Sequence, residues 1–134
     1  MIKPSKKAVS RNRMLKALDK QSKQEVCGDR DQWTCQRCGR QHGDWDIQKQ
    51  AYVIVQWCHV QTREYHILRW EPDNTLVLCK EDHVWFDNHK VQSYEWFSKK
   101  WPERWANIQR VLQMPCKTSM AWLRERYNEL NRPF

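Results

Sequence analysis

Hydrophobic and polar positions follow two different periods along this chain, and the switches between them divide it into elements. Residues 5–25 contain no Gly or Pro, and Met14, Leu15 and Leu18 make a thin apolar stripe within a run of helix formers. That spacing predicts a mostly exposed helix docked lightly on the body. Turn formers dominate from Asp29 to Gly43, and the periodicity is lost there. β-Branched and aromatic residues then concentrate in Ala51-Tyr-Val-Ile-Val-Gln-Trp57, which predicts a strand ending near His59. Thr62 to Asn74 is polar, contains Pro72 and reads as a long loop, and Thr75-Leu-Val-Leu78 predicts a short second strand. Helical composition resumes from Cys79 to His89, where the spacing of His83 and Asp87 puts them on one face. Pro102 suits a first helical turn, and Trp101, Trp105, Ile108 and Leu112 recur at helical spacing. A last helix is predicted after Pro115, with Leu123, Tyr127 and Leu130 along one side. There are no internal repeats and no low-complexity tract.

Short strands enclosed by helices place the chain in the α+β class. Its 134 residues suffice for one small domain. The expected organisation is a basic helical arm over residues 1–26, a core over 27–100, and a helical extension over 101–134 packed on that core. Composition then changes the picture. Nine Trp and only three Gly imply a core leaning on aromatic bulk, with Trp70 and Trp85 as its strongest candidates. A core of this size usually needs a staple, and a metal ion supplies one. Charge at Met1 to Lys7 is not followed by an apolar stretch of the kind a signal peptide carries. A reduced, intracellular setting is therefore expected, in which a Cys-x-x-Cys pair points to metal or redox chemistry rather than disulfides. No apolar run approaches the length of a membrane span, so no membrane partner is expected. The net charge of +8 is concentrated at one end, because residues 1–24 hold eight Lys or Arg against Asp19 alone. A basic arm on a near-neutral body suits a polyanion such as DNA, with Lys6, Lys7, Arg11 and Arg13 among its contacts.

The candidate chemistry lies in an ordered ligand series. Cys35-Gln-Arg-Cys38-Gly39 has the spacing of a zinc knuckle, with a Gly placed for the tight turn that aims two sulfurs at one ion. Cys79, opening a predicted helix after a hairpin strand, is the third ligand. The fourth stays open among Asp82, which has the knuckle spacing, the chemically softer His83, and Cys58 or Cys27. Asp82 is the preferred partner for a structural Zn²⁺. Cys116 reads as a core or surface thiol without a role. His42 and His66 read as loop histidines, and His89 as a cation at a helix C-terminus.

The combination of Asp31-Gln-Trp-Thr-Cys35-Gln-Arg-Cys38-Gly39-Arg40, Cys58-His59, Arg63, Leu68-Arg69-Trp70, Asp73-Asn74 and Leu78-Cys79 through His83 resembles the zinc-containing HNH endonucleases. The Arg-Trp pair before Asp-Asn is similar to the phage subgroup of NinG-type recombination proteins. The resemblance covers roughly residues 29–100 and implies a small ββα-metal core, in which a hairpin and a helix surround a catalytic divalent ion. It implies His59 as the general base for the attacking water and Asn74 as the residue that fixes the loop. It implies His83 as a ligand to a catalytic ion such as Mg²⁺ or Mn²⁺, with Asp87 as a further ligand and Arg63 and Arg69 as phosphate-gripping cations. Two positions depart from the family pattern: Cys58 stands where an acidic or His ligand usually precedes the base, and Asp82 where a fourth thiolate is usual. The implied function is hydrolysis of DNA phosphodiesters in phage recombination or DNA processing, inside the host cell. The rival is a zinc-knuckle module that binds DNA or a partner without cutting.

Overall fold

The computed structural model describes residues 9–62, 66–114 and 120–131. Ser10 caps the first helix, α1 (Arg11–Lys23), by accepting a hydrogen bond from the Arg13 amide at 3.2 Å. The helix buries Met14 and Leu18 against Leu123 of α6 (Met120–Leu130), with Trp70 and Trp122 packed around them. Its path does not stop at Lys23. It widens into π-helical turns over Gln24–Arg30, which carry Val26 and Cys27 into the main core. The boundary expected at 26/27 therefore falls inside one continuous helical segment.

The dock of α1 is firmer than its thin apolar stripe predicts. The Asp19 carboxylate accepts from Arg69 Nε at 3.0 Å, from Arg69 Nη2 at 2.7 Å and from Trp70 Nε1 at 2.9 Å. The Arg69 and Asp19 side chains are only 14% and 19% exposed, so water screens the pair poorly. Removing one partner strands the other charge, at about 3 kcal/mol for a pair this enclosed. We expect Asp19→Ala to lower the unfolding free energy measured in urea by that amount. A loss below about 0.5 kcal/mol would instead mark it as an ordinary surface pair.

The strand expected over Ala51–Trp57 is broken in two. Ala51–Tyr52 (β2) pairs antiparallel with Trp45–Asp46 (β1), and the chain re-enters a second sheet at Val55–His59 (β3). At the break, the Val53 amide donates to Asp44 O at 2.7 Å and the Lys80 amide donates to Ile54 O at 3.0 Å. β3 pairs antiparallel with Thr75–Cys79 (β4), with Val55 opposite Cys79 and His59 opposite Thr75. All of β4 is buried, with Leu76, Val77 and Leu78 as its apolar centre.

The long connection from β3 to β4 is partly ordered by a short helix, α2 (His66–Arg69), and a 3₁₀ turn over Pro72–Asn74. α3 (Lys80–Asn88) leaves β4 directly, and single residues, His89 and Trp101, separate it from α4 (Lys90–Lys100) and α5 (Pro102–Leu112). Phe86, Phe97 and Ile108 pack from these three helices onto Leu76, Val77 and Leu78 of β4. Trp70, Trp85, Trp101 and Trp105 line the margin of this core half-buried, rather than filling its centre. The class is α+β, with helices packed around two small antiparallel sheets. No described helix is long and apolar enough to cross a membrane.

Candidate metal centres

The turn that follows the π-helical run builds the first centre. Cys35 donates its amide to Arg40 O at 2.8 Å, and its carbonyl receives the Gly39 amide at 2.9 Å, which closes the chain around the thiol. Gly39 sits at φ +81°, a conformation that L side chains rarely adopt. The Gln36 amide donates to Val77 O at 2.9 Å and so seats this turn on β4. Cys79 ends β4 and Asp82 lies in the first turn of α3, so hairpin, helix and turn meet at one point. The Cys35, Cys38, Cys79 and Asp82 ligand atoms lie within 4.8 Å of one another. The Cys35 thiol donates to Asp82 Oδ2 at 3.2 Å, and the Cys38 and Cys79 sulfurs are 3.8 Å apart. This group can hold one metal ion, and three sulfurs with one oxygen suit a tetrahedral, borderline-soft cation.

Electrostatics at this centre are uneven. Burial pushes the Cys35 and Cys79 thiols above their ordinary range. Burial also opposes ionisation of Asp82, but hydrogen bonds from Arg37 and from the two thiols hold its carboxyl below the usual range. Arg37 donates to Asp82 Oδ1 at 2.7 Å while its guanidinium lies 3.6 Å from the Trp85 ring centroid. One carboxylate oxygen is thereby fixed, and the other turns to the sulfurs. The alternatives for the fourth ligand lie elsewhere: His83 and Cys58 join a second group, and Cys27 is buried beside Asp31, where burial raises its thiol to about 11.

The second centre forms between β3 and α3. Cys58, His83 and Asp87 bring their ligand atoms within 4.8 Å of one another. His83 Nδ1 lies 2.7 Å from Gln56 Oε1, and its Nε2 lies 3.4 Å from Asp87 Oδ2. Cys58 is fully buried, and burial pushes its thiol upward. Among the described residues His59 belongs to neither ligand group. Strand alternation turns it to the opposite face of β3, where its ring meets Trp57 with centroids 4.3 Å apart. His59 Nε2 is 2.9 Å from Arg69 O. A carbonyl only accepts, so Nε2 carries the hydrogen in this contact.

Asn74 is fully buried and spends its side chain on backbone. Its Oδ1 accepts from the Gln61 amide at 2.8 Å, and its Nδ2 donates to Gln61 O at 3.2 Å and Leu68 O at 3.0 Å. Both ends of the β3–β4 connection are thus tied to one side-chain amide, shortly after His59. His42 and His89 have local structural partners: His42 Nδ1 accepts from the Val55 amide at 3.2 Å, and His89 Nδ1 lies 3.2 Å from Trp85 O.

Of the expected nucleic-acid contacts, Lys6, Lys7 and Arg63 lie outside the described residues, as does Cys116. Arg11 and Arg13 are exposed in the first turn of α1. Arg69 has its guanidinium committed to Asp19 and serves as an anchor between α1 and α2, not as a free cation. Sequence reasoning missed Arg37, Gln56 and the Arg30–Asp31 clamp. In that clamp, Arg30 donates to Pro72 O at 2.8 Å and Thr75 O at 2.6 Å, while Asp31 accepts from the Val77 amide at 3.0 Å. Gln56 does leave a signal, as a polar residue inside an otherwise apolar run.

No protein-family model, curated protein sequence or solved structure matches this chain.

Proposed function

We propose that the chain is a metal-dependent endonuclease of the HNH type that hydrolyses DNA phosphodiester bonds, with zinc held by Cys35, Cys38, Cys79 and Asp82. The observation that carries this reading is the convergence of Cys58, His83 and Asp87 on a β3–β4–α3 unit whose loop is tied by Asn74, with His59 next in β3 and its ring on the other face of the strand. A hairpin followed at once by a helix, with ligands from both, supports a ββα-metal core. The Cys58 that departs from the family pattern brings a donor atom to the same group. A divalent ion held there would neutralise the scissile phosphate and stabilise the leaving oxygen.

The residues themselves divide the remaining work. Gln56 accepts the His83 Nδ1 hydrogen, which fixes the ring and leaves Nε2 with its lone pair on the side of Asp87. His59 takes a proton from water at Nδ1, oriented by the bond from its Nε2 to Arg69 O. The water oxygen then bonds to phosphorus as the opposite P–O bond breaks, and that bond's electron pair leaves on the sugar oxygen.

Supercoiled plasmid with added Mg²⁺ or Mn²⁺ tests the reading, with divalent-dependent nicking as the expected result. His83→Ala is expected to raise the Mg²⁺ concentration for half-maximal nicking by roughly tenfold or more, the scale on which disturbed ligation weakens a metal site. Absence of nicking by the unmodified protein with any divalent ion would refute the proposal. One observation favours the rival, a zinc-knuckle module that binds DNA without cutting it: burial raises the Cys58 thiol and so opposes the thiolate that a metal ion needs. That protein would show salt-sensitive DNA binding and no cleavage.

A further inference from the structure

We infer that the outward stripe of α1, formed by Arg13, Lys16, Lys20 and Lys23, is a phosphate track that leads a DNA strand to the face of the hairpin carrying His59. The inference rests on the DNA-acting reading and adds a location that the ligand series does not contain. At 3.6 residues per turn these four positions fall within about 80° of one another, opposite the buried Met14, Leu18 and Ser22. All four residues are exposed. Asp19, the one carboxylate within α1, lies at the edge of this stripe and is engaged by Arg69 and Trp70.

Helix stability does not account for this pattern. Cations near a C-terminus complement the macrodipole, which covers Lys20 and Lys23. The same rule disfavours basic residues at the other end, yet the first turn of α1 contains no acid and carries Arg11 and Arg13. Positive charge along the whole helix, beyond what the dipole accommodates, calls for an external anion. From Arg13 to Lys23 the stripe rises about 15 Å, enough to meet about three successive phosphates of one strand lying along it.

The track has a direction. Lys23 Nζ sits 5.7 Å from the Trp57 ring centroid, and the Trp57 and His59 rings are 4.3 Å apart. Asp19 holds Arg69, whose carbonyl receives His59. The C-terminal end of the stripe is therefore braced against the same residues that orient His59.

Deleting residues 1–24 would also unpack Leu123, so the informative change is Lys16→Gln with Lys20→Gln in the full-length protein. Binding to a short duplex is measured against salt concentration, without added divalent ions. The slope of log affinity on log salt is expected to shrink by about 1.8, or about 0.9 for each phosphate no longer neutralised. Lys99→Gln, at an exposed position of α4, is expected to leave it unchanged. An unchanged slope in the double variant, with an unchanged urea midpoint, overturns the track, as does failure of the unmodified protein to bind DNA. If the slope falls but no plasmid is ever nicked, the track stands and the nuclease reading fails.

Discussion

Cys79→Ser is expected to abolish retention of one equivalent of zinc and, with it, the cooperative thermal transition of the chain. Cys79 ends β4 and stands at the N-cap position of α3, within reach of Cys35, Cys38 and Asp82. The knuckle turn, the hairpin and the helix therefore share one ligand point. Structural zinc contributes roughly 10–16 kcal/mol to small domains, whereas a whole domain is stable by only about 5–15 kcal/mol. Losing the ion outweighs the near-isosteric exchange of sulfur for oxygen. A variant that keeps its transition within a few degrees and releases no metal would refute a structural ion at this site.

The same centre fixes opposite pH dependences for the empty and the loaded protein. Burial raises the Cys35 and Cys79 thiols above their ordinary value of 9.0, so the metal-free fold prefers them protonated. That stability is fully present below pH 9.0 and is lost as pH rises beyond it. Zinc demands thiolates and displaces their protons, so the loaded protein weakens as pH falls. Asp82, held low by Arg37 against its burial, keeps its charge through most of that fall. Thermal scans of chelated and zinc-loaded samples across pH should therefore tilt in opposite directions.

What the sequence reveals about this fold depends on how local each cause is. β4, α3 and α5 follow from composition and from Pro102, because a buried strand and an amphipathic helix are written in consecutive residues. Asp82 is readable from its spacing after Cys79, since a knuckle's geometry is itself local. The Asp19–Arg69 bond joins positions fifty residues apart, and Arg69 alone looks like any exposed cation. Even so, one acid in a strongly basic stretch hints at a partner elsewhere. The break of the long strand at Val53 and Ile54 arises from bonds to Asp44 and Lys80, which no periodicity within Ala51–Trp57 records. The π-helical run likewise depends on where Val26 and Cys27 must reach in the core. The second ligand group is half legible: helical spacing pairs His83 with Asp87, while Cys58 joins them only through the packing of α3 on β3.

His59→Ala is expected to lower the nicking rate by roughly 10²–10⁴-fold while leaving zinc content and fold in place. The loss follows from the tautomer that the geometry imposes on this ring. Nε2 points its hydrogen at Arg69 O, 2.9 Å away, so in the proposed mechanism the proton of water would go to Nδ1. The hydrogen bond to Arg69 O and the edge contact with Trp57 are together worth about 1–2 kcal/mol, small by comparison with that loss of rate. Stability and rate therefore separate cleanly in this variant, unlike in Cys79→Ser, where both fall together. Added imidazole should restore part of the rate by entering the space vacated by the ring, which a packing role would not allow. The Mg²⁺ requirement should stay where it was, since His59 lies outside the Cys58–His83–Asp87 group. Cleavage that persists unchanged in His59→Ala would remove the base from the mechanism and leave the second metal centre without its proposed partner.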